Sequence, residues 1–523
     1  MSLVRGAASV GSGLAAAREA RLIRAGERIH VVGAAGAGAS AAVILAHEEG
    51  AEVSGCDPGG PSPYTPAIEA LGISLAGGHD PSHVTSVLRP ERLAVTKALT
   101  AIDPHNAELE AARAAGIPIE PWQQVVADAA AGRLLVGVAC THGKSTTSGW
   151  LVHVLVEAGL DPSAFVGALL PGSLTGGLPS TARTGHGMPF VVEADEYAGN
   201  FDAYRPGVAI LTSAEWDHPD VFADEEAVIA TFAAWVQRAQ QDARPPVLVA
   251  NVADPGVAAV VGRLRDWQGV VHAVSLVTDD LPLPDEARRN AMSSRFATAG
   301  GRAQVLLGRI AEVDPASTRL EFAGAGTNGH VLTARLRLAG RHNAANALCV
   351  AGAAIALGVA GSALAAGLAS FEGVGRRLER KGEGKGVVVY DDYGHHPTAI
   401  RETLAAIRQR EPGKRIWAVY EPLTYHRTAA MLEQFAEVLA GADAVAIADI
   451  WARRAPDTTI TSAAALARAV ARRNPSIPAV APGSVEATAD WLAGAVRSGD
   501  AVLVMGGGKS YRIAELLVES LRR

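Results

Sequence analysis

The stretch Leu134-Leu135-Val136-Gly137-Val138-Ala139-Cys140-Thr141-His142-Gly143-Lys144-Ser145-Thr146-Thr147 decides the fold class. Its first six residues form a continuous apolar run, the mark of a strand buried on both faces. A short polar turn follows, and the residues from Thr146 to Ala158 suit a helix. A strand that passes through such a turn into a helix offers backbone N–H groups and a helix N-terminus to an anion. Lys144 would then reach the β- and γ-phosphates of a nucleotide, and the Ser145 hydroxyl would ligate Mg²⁺. A full P-loop carries a further glycine five residues before Gly143, where this chain has Val138. The strand–turn–helix context therefore carries the phosphate-binding reading, and the strict motif does not.

Outward from this stretch the chain alternates strands with helical runs of 10–15 residues, the pattern of parallel sheets covered by helices. The reading is α/β with three domains: 28–131, Rossmann-like; 132–377, a P-loop-type ATPase; and 378–523, Rossmann-like again. In the first, the strand Arg28–Val32 meets the turn Gly33-Ala34-Ala35-Gly36-Ala37-Gly38. A helix over Ser40–Glu49 and a strand at Ala51–Ser54 follow, ending near Asp57. An acidic residue ~20 positions after a glycine turn is a nucleotide-binding arrangement, which an NAD-type fold would also show. In the third, strands are expected at Gly386–Tyr390, Ile416–Tyr420, Ala444–Ala448 and Ala501–Met505. The stretch Asp279–Gly329 carries little signal and reads as a peripheral insertion in the second domain.

The bulk properties exclude several classes. Among 523 residues the formal net charge is -7, which argues against a general nucleic-acid binder. No run approaches the ~20 apolar residues of a membrane span. Cys56, Cys140 and Cys349 are too scattered for a zinc-type cluster and suit a reduced, cytosolic protein. Residues 1–27 are Ala-rich but broken by Arg5, Arg18, Arg21 and Arg24, and read as a helical extension rather than a signal peptide. Nothing in the sequence fixes an oligomeric state.

Further motifs follow the loop. The apolar run Val191-Val192 ends in Glu193-Ala194-Asp195-Glu196-Tyr197, and Ala209–Ser213 leads to Glu215-Trp216-Asp217-His218-Pro219-Asp220. Carboxylates and a histidine at the C-terminal ends of parallel strands lie where such sheets bind ligands, and oxygen donors suit Mg²⁺. Asn343 and Asn346, three apart at the start of a helix, share one face. Beyond them come the pair Arg376-Arg377 and the string Asp391-Asp392-Tyr393-Gly394-His395-His396-Pro397-Thr398. A second glycine string, Gly506-Gly507-Gly508-Lys509-Ser510, has no acidic partners nearby and reads as a tight turn.

Taken together, Thr141–Thr147, Glu193–Glu196, Glu215–His218, Gly340–Asn346 and Asp391–Thr398 resemble the Mur ligase family over nearly the whole chain. That resemblance implies an ATP-dependent carboxylate–amine ligase acting through an acyl phosphate. Thr141, His142, Gly143, Lys144, Ser145 and Thr146 would hold the nucleotide phosphates, Asn343 and Asn346 the adenine, Arg377 a phosphate and Asp392 the ribose. Glu193 would share Mg²⁺ with Ser145, and His218 would help hold a second metal; Asp195, Glu196 and Asp217 would support them. Gly33, Gly36, Gly38, Asp57 and His79 would bind the UDP-sugar carboxylate, and His395 and Arg427 would face the incoming amine. The expected pair is UDP-N-acetylmuramate and L-alanine, ahead of a recycled tripeptide or another amino acid; an ATPase switch and an inactive scaffold are the rival classes. Cys140 and Ala35 stand where the family has glycine; Cys140 is expected to reshape its loop slightly, and Ala35 to set the pyrophosphate slightly farther from the backbone. Leu423 and Thr424 replace a histidine and an arginine, and a lost arginine removes ~1.5–3 kcal/mol of charge-assisted bonding.

Overall fold

The computed structural model describes residues 10–523 apart from 88, 240–244, 278–281, 284 and 452–458. In the N-terminal domain five parallel strands stand in the order Leu75–Ala76, Glu52–Cys56, Arg28–Val32, Arg92–Val95, Ile119–Pro121. The order reverses beside Arg28–Val32, the switch point at which a doubly wound sheet opens a ligand crevice. The turn Gly33–Gly36 leaves the sheet there.

Among the described residues the central sheet has ten strands. Leu134–Ala139 lies between Val208–Leu211 and Pro189–Ala194, all parallel, with Val138 opposite Glu193 and Ala139 opposite Leu211. This register delivers the Cys140–Gly143 loop, Glu193 and Thr212 to one edge. Among the described residues the C-terminal sheet has six strands, of which only Glu379–Gly384 runs antiparallel to its neighbour. There Asp392 and Tyr420 both pair with Met505, and Glu421 pairs with Gly506, so their strand ends form a second edge facing the first.

Two expectations are corrected. The stretch from Asp279, whose first residues lie outside the described ones, is no peripheral insertion. It supplies Gln304–Val313, parallel to Val270–Leu276, and then the antiparallel Thr318–Gly324, which continue the central sheet without a break. The described part of the N-terminal extension is not helical either: residues 15–24 form a strap without regular structure, and residues 1–9 lie outside the described ones. Arg18 Nη2 reaches Asp128 Oδ2 at 2.6 Å, the Arg21 backbone N–H donates to Asp128 Oδ1 at 3.0 Å, and the Arg21 side chain pairs with Glu27.

Beneath the strap, buried Arg92 joins Glu27 at 3.1 Å and Glu120 at 2.6 Å, and also contacts Asp128. Removing one partner of a buried ion cluster strands the others. Arg92→Met should therefore cost ~3–5 kcal/mol in denaturant unfolding.

Candidate active site

The phosphate loop is shaped by one glycine. Gly143 caps the helix Lys144–Glu157 at φ 91°, a conformation that side chains disfavour. A Cβ there would lie 2.8 Å from Asn346 Oδ1. Cys140, by contrast, is absent from the positive-φ residues. It is buried, and burial pushes its thiol up to about 12. Cys140 thus needs none of the conformational freedom of glycine, and the left-handed residue of the loop is Gly143. Thr141 and His142 are held from below: Thr141 Oγ1 lies 2.9 Å from the Glu215 N–H, and the His142 N–H donates to Ser213 Oγ at 2.9 Å.

Lys144 donates to Glu196 Oε2 at 2.8 Å and also reaches the Cys140 carbonyl. Burial works against its charge, but Glu196 and then Asp195 outweigh that and raise its pKa. Ser145 Oγ donates to Glu193 Oε1 at 3.1 Å, the Gly167 N–H donates to Glu193 Oε2 at 2.7 Å, and Arg377 Nη2 donates to Ser145 Oγ at 2.7 Å. Burial raises the Glu193 pKa, countered first by Arg377. Two oxygens this close, beside loop amides, fit a cation that prefers oxygen ligands and keeps phosphates in its shell.

His218 stands apart from that pair. Arg427 Nη2 lies 3.0 Å from its Nδ1 and 2.6 Å from Asp217 Oδ1. A guanidinium only donates, so Nδ1 accepts. His218 thereby holds Arg427 across the domain boundary, and its ring also stands with Asp195 and Glu196 in a group whose ligand atoms lie within 4.8 Å of one another and could hold a metal ion. Burial opposes the Asp217 charge, yet His218 and Arg427 keep its carboxyl well below the usual range. Arg427 Nη1 is buried with no hydrogen-bond partner among the described residues.

His395 Nδ1 lies 3.1 Å from the Tyr393 carbonyl oxygen, which can only accept. Its Nε2 is therefore a lone-pair acceptor, and burial, reinforced by Arg427, keeps the ring neutral. His396 is pushed down to about 4 by burial and then by His142. Its Nε2 lies 3.2 Å from the Trp216 carbonyl, and Thr398 Oγ1 donates to Glu215 Oε2 at 2.7 Å, two more links between the domains.

Beside the loop lies a cavity of about 380 Å³, lined among others by Gly143, Thr212, Asn251, Asn346, Arg377 and Asp392. Asn343 Nδ2 donates to the Ala339 carbonyl at 2.7 Å, and Asn346 reaches Asn343 Oδ1 at 3.4 Å. Asp392 accepts from the Leu378 and Gly394 N–H groups at 2.8 and 2.7 Å, so its carboxylate also ties the interdomain segment in place. Asn251 and Thr212 were not singled out in the sequence. Their signal is position at the ends of the strands flanking the loop.

The neighbouring arginines divide. Arg376 is bound to Asp391 at 3.1 Å, to the Gly506 carbonyl at 2.8 Å and to Ser510 Oγ at 2.9 Å, and lies over the Tyr393 ring. The glycine string therefore serves as a tight turn that anchors Arg376. Thr424, at φ 67°, caps the helix Tyr425–Ala430 by accepting from the Arg427 N–H at 3.3 Å. Leu423 bridges to Trp451.

In the N-terminal domain a Cβ on Gly38 would fall 2.1 Å from Trp122, so this glycine serves packing. Gly33 takes φ 82°, and Gly36 precedes the helix Ala37–Glu48 as its N-cap. Ala35 fits the turn with its N–H donating to Asp57 Oδ2 at 3.1 Å, so Asp57 braces the turn. His79 lies away from it, with Nδ1 3.3 Å from Cys56 Sγ.

Comparison with known proteins follows the same division. Family models described as Mur ligase family, catalytic domain; Mur ligase middle domain; and Mur ligase, glutamate ligase domain match residues 28–133, 138–354 and 376–508. The UDP-N-acetylmuramate–L-alanine ligase of Kineococcus radiotolerans is 38% identical over 92% of this chain and 93% of its own length. That of a Roseiflexus species is 35% identical over 94% and 99%. The fold matches the crystal structure of the Thermotoga maritima UDP-N-acetylmuramate–alanine ligase with TM-score 0.72 at 20% identity, covering 94% of this chain and 98% of that one. A murein peptide ligase from Psychrobacter arcticus follows at 0.67 and 22%, covering 95% and 99%.

The two arginines separate experimentally. Arg376→Ala should lower the melting temperature by stranding buried Asp391. Arg377→Ala should leave melting nearly unchanged yet slow nucleotide-dependent phosphate release by about 10²-fold, as loss of a preorganised donor does. Equal effects on both readouts would refute the division.

Proposed function

The chain belongs to the Mur ligase family, and from that premise we propose that it joins UDP-N-acetylmuramate to L-alanine at the expense of ATP. The observation that carries the reading is the meeting of two strand edges, where the phosphate loop faces Arg427 and His395 of the next domain. The tripeptide alternative is set aside, because the compared relatives at 35–38% identity are alanine-adding ligases. We place the domains at 28–131, 132–377 and 378–523, with 1–27 as an N-terminal extension, and assign the protein to the cytosol. Its three buried free cysteines suit that compartment, and no helix among the described residues is long and apolar enough to cross a membrane.

ATP and Mg²⁺, when bound, supply the transferable phosphoryl group and offset its charge. Lys144 and the loop amides orient the phosphates, Ser145 and Glu193 provide oxygen ligands, and Arg377 steadies Ser145. Asn343 and Asn346 line the nucleotide cavity. The Gly33–Gly38 turn, braced by Asp57, receives the UDP-sugar. Arg427 Nη1 meets the carboxylate of the amino acid, which relieves a buried unpaired donor. The neutral His395 takes a proton through Nε2 from the incoming ammonium, which frees the amine lone pair to attack, and closure of the C-terminal domain excludes water. No side-chain nucleophile is needed, since positioning and electrostatics carry the reaction.

Phosphate release from ATP and Mg²⁺ should require UDP-N-acetylmuramate and L-alanine together, and Lys144→Ala should abolish it. Release without the amine would make the protein an ATPase instead. In the same assay Arg427→Ala should raise the KM for alanine about 10- to 150-fold, the equivalent of ~1.5–3 kcal/mol for a charge-assisted bond. An unchanged KM would remove Arg427 from the amino-acid site.

A further inference from the structure

A second convergence of ligand-type side chains lies inside the N-terminal domain, apart from the phosphate loop. His30 on Arg28–Val32, Cys56 on Glu52–Cys56, His83 on Ser82–Thr85 and Glu108 on Ala107–Ala114 bring their ligand atoms within 4.8 Å of one another. His30, Cys56 and Glu108 are buried, and His83 is half-buried. Four elements distant in sequence thus aim nitrogen, sulfur and oxygen donors at one point in the domain interior.

Hydrogen bonds from Cys56 Sγ and His83 already converge on Glu108, and one buried donor nitrogen stands beside them unpaired. His30 Nε2 lies 2.9 Å from Glu108 Oε1 but makes no well-formed hydrogen bond among the described residues. The other ring nitrogen, Nδ1, sits 2.8 Å from Ser54 Oγ, which orients the imidazole as the outer partner of a metal-bound histidine does. His83 Nδ1 is 3.1 Å from Glu108 Oε1, and Cys56 Sγ is 3.3 Å from Glu108 Oε2. Donors sharing a tetrahedral ion at ~2.0–2.3 Å stand roughly 3.3–3.6 Å apart, close to these separations.

We propose that His30, Cys56, His83 and Glu108 form a binding site for a zinc-class divalent cation. Two imidazoles, a thiolate and one carboxylate are the donor set of a borderline-soft tetrahedral ion, and they exclude Mg²⁺, which wants oxygen. Binding breaks the Cys56 S–H bond, forms the metal–sulfur bond and releases the proton to solvent. His79 Nδ1, 3.3 Å from Cys56 Sγ, closes the outer side of the site. The cation would pin two strands of the sheet to the helix that covers them. The inference stands independently of the ligase reading.

The test uses the full chain, produced without a metal-affinity tag, stripped by chelator dialysis and titrated with Co²⁺ as the probe. Stoichiometric uptake is expected, with a thiolate-to-Co²⁺ charge-transfer band in the near ultraviolet, tetrahedral visible bands and a raised melting temperature. Zn²⁺ should displace the Co²⁺, and excess Mg²⁺ with ATP should not. Cys56→Ser should remove the charge-transfer band and weaken Co²⁺ binding at least ten-fold, with its own melting curve reporting whether it folds. The wild-type spectrum decides the matter even if the variant fails to fold. No stoichiometric uptake, uptake without a thiolate band, or an unchanged band in Cys56→Ser would each overturn the proposal.

Discussion

The buried ion pair between Asp217 and Arg427 fixes the geometry on which the rest of the site depends. The two side chains belong to different domains, meet at 2.6 Å, and are both nearly inaccessible to water. Desolvating two such charges costs about as much as their attraction returns. The pair therefore sets the register of closure without supplying much of its free energy. His218 takes a second Arg427 proton and leaves Nη1 unsatisfied. In the proposed reaction the amino-acid carboxylate fills that position, so the closed arrangement gains stability when substrate is present, as coupled closure requires.

Much of this was legible in the sequence because parallel sheets concentrate information at strand ends. Apolar runs such as Leu134–Ala139 and Val191–Val192 end in polar residues, and the fold gathers those ends at one edge. What was not legible depends on contacts distant in sequence. Arg18, Arg21 and Arg24 interrupt an apolar stretch, but only the positions of Glu27 and Asp128 show why. The strand Thr318–Gly324 packs Leu320 and Phe322 inward while Arg319 and Glu321 stay partly exposed. Its charged outer face dilutes the hydrophobic signal. His218 illustrates the same limit: its residue type suits a metal, and only the fold shows that it also meets Arg427, 209 residues away.

The departures from the family pattern have local explanations. Cys140 replaces a glycine at a position whose backbone any residue can adopt, while the one left-handed residue of the loop remains Gly143. Ala35 is accommodated because its N–H already has Asp57 as acceptor. Thr424 takes a strained left-handed conformation and uses its hydroxyl to cap the helix that carries Arg427. An arginine lost from the sequence thus coincides with a cap that orders the arginine retained.

The charges at the site are interleaved rather than pooled. Lys144 rests on Glu196, Arg377 on Ser145 next to Glu193, and Arg427 on Asp217, so each cation has a polar partner before any phosphate arrives. A phosphate oxygen approaching Lys144 replaces one anionic acceptor with another, and the net change in desolvation is small. Glu196 meanwhile keeps the ammonium charged and extended along the loop. The cost of orienting the cation is met during folding, and the transition state finds its donors already in place.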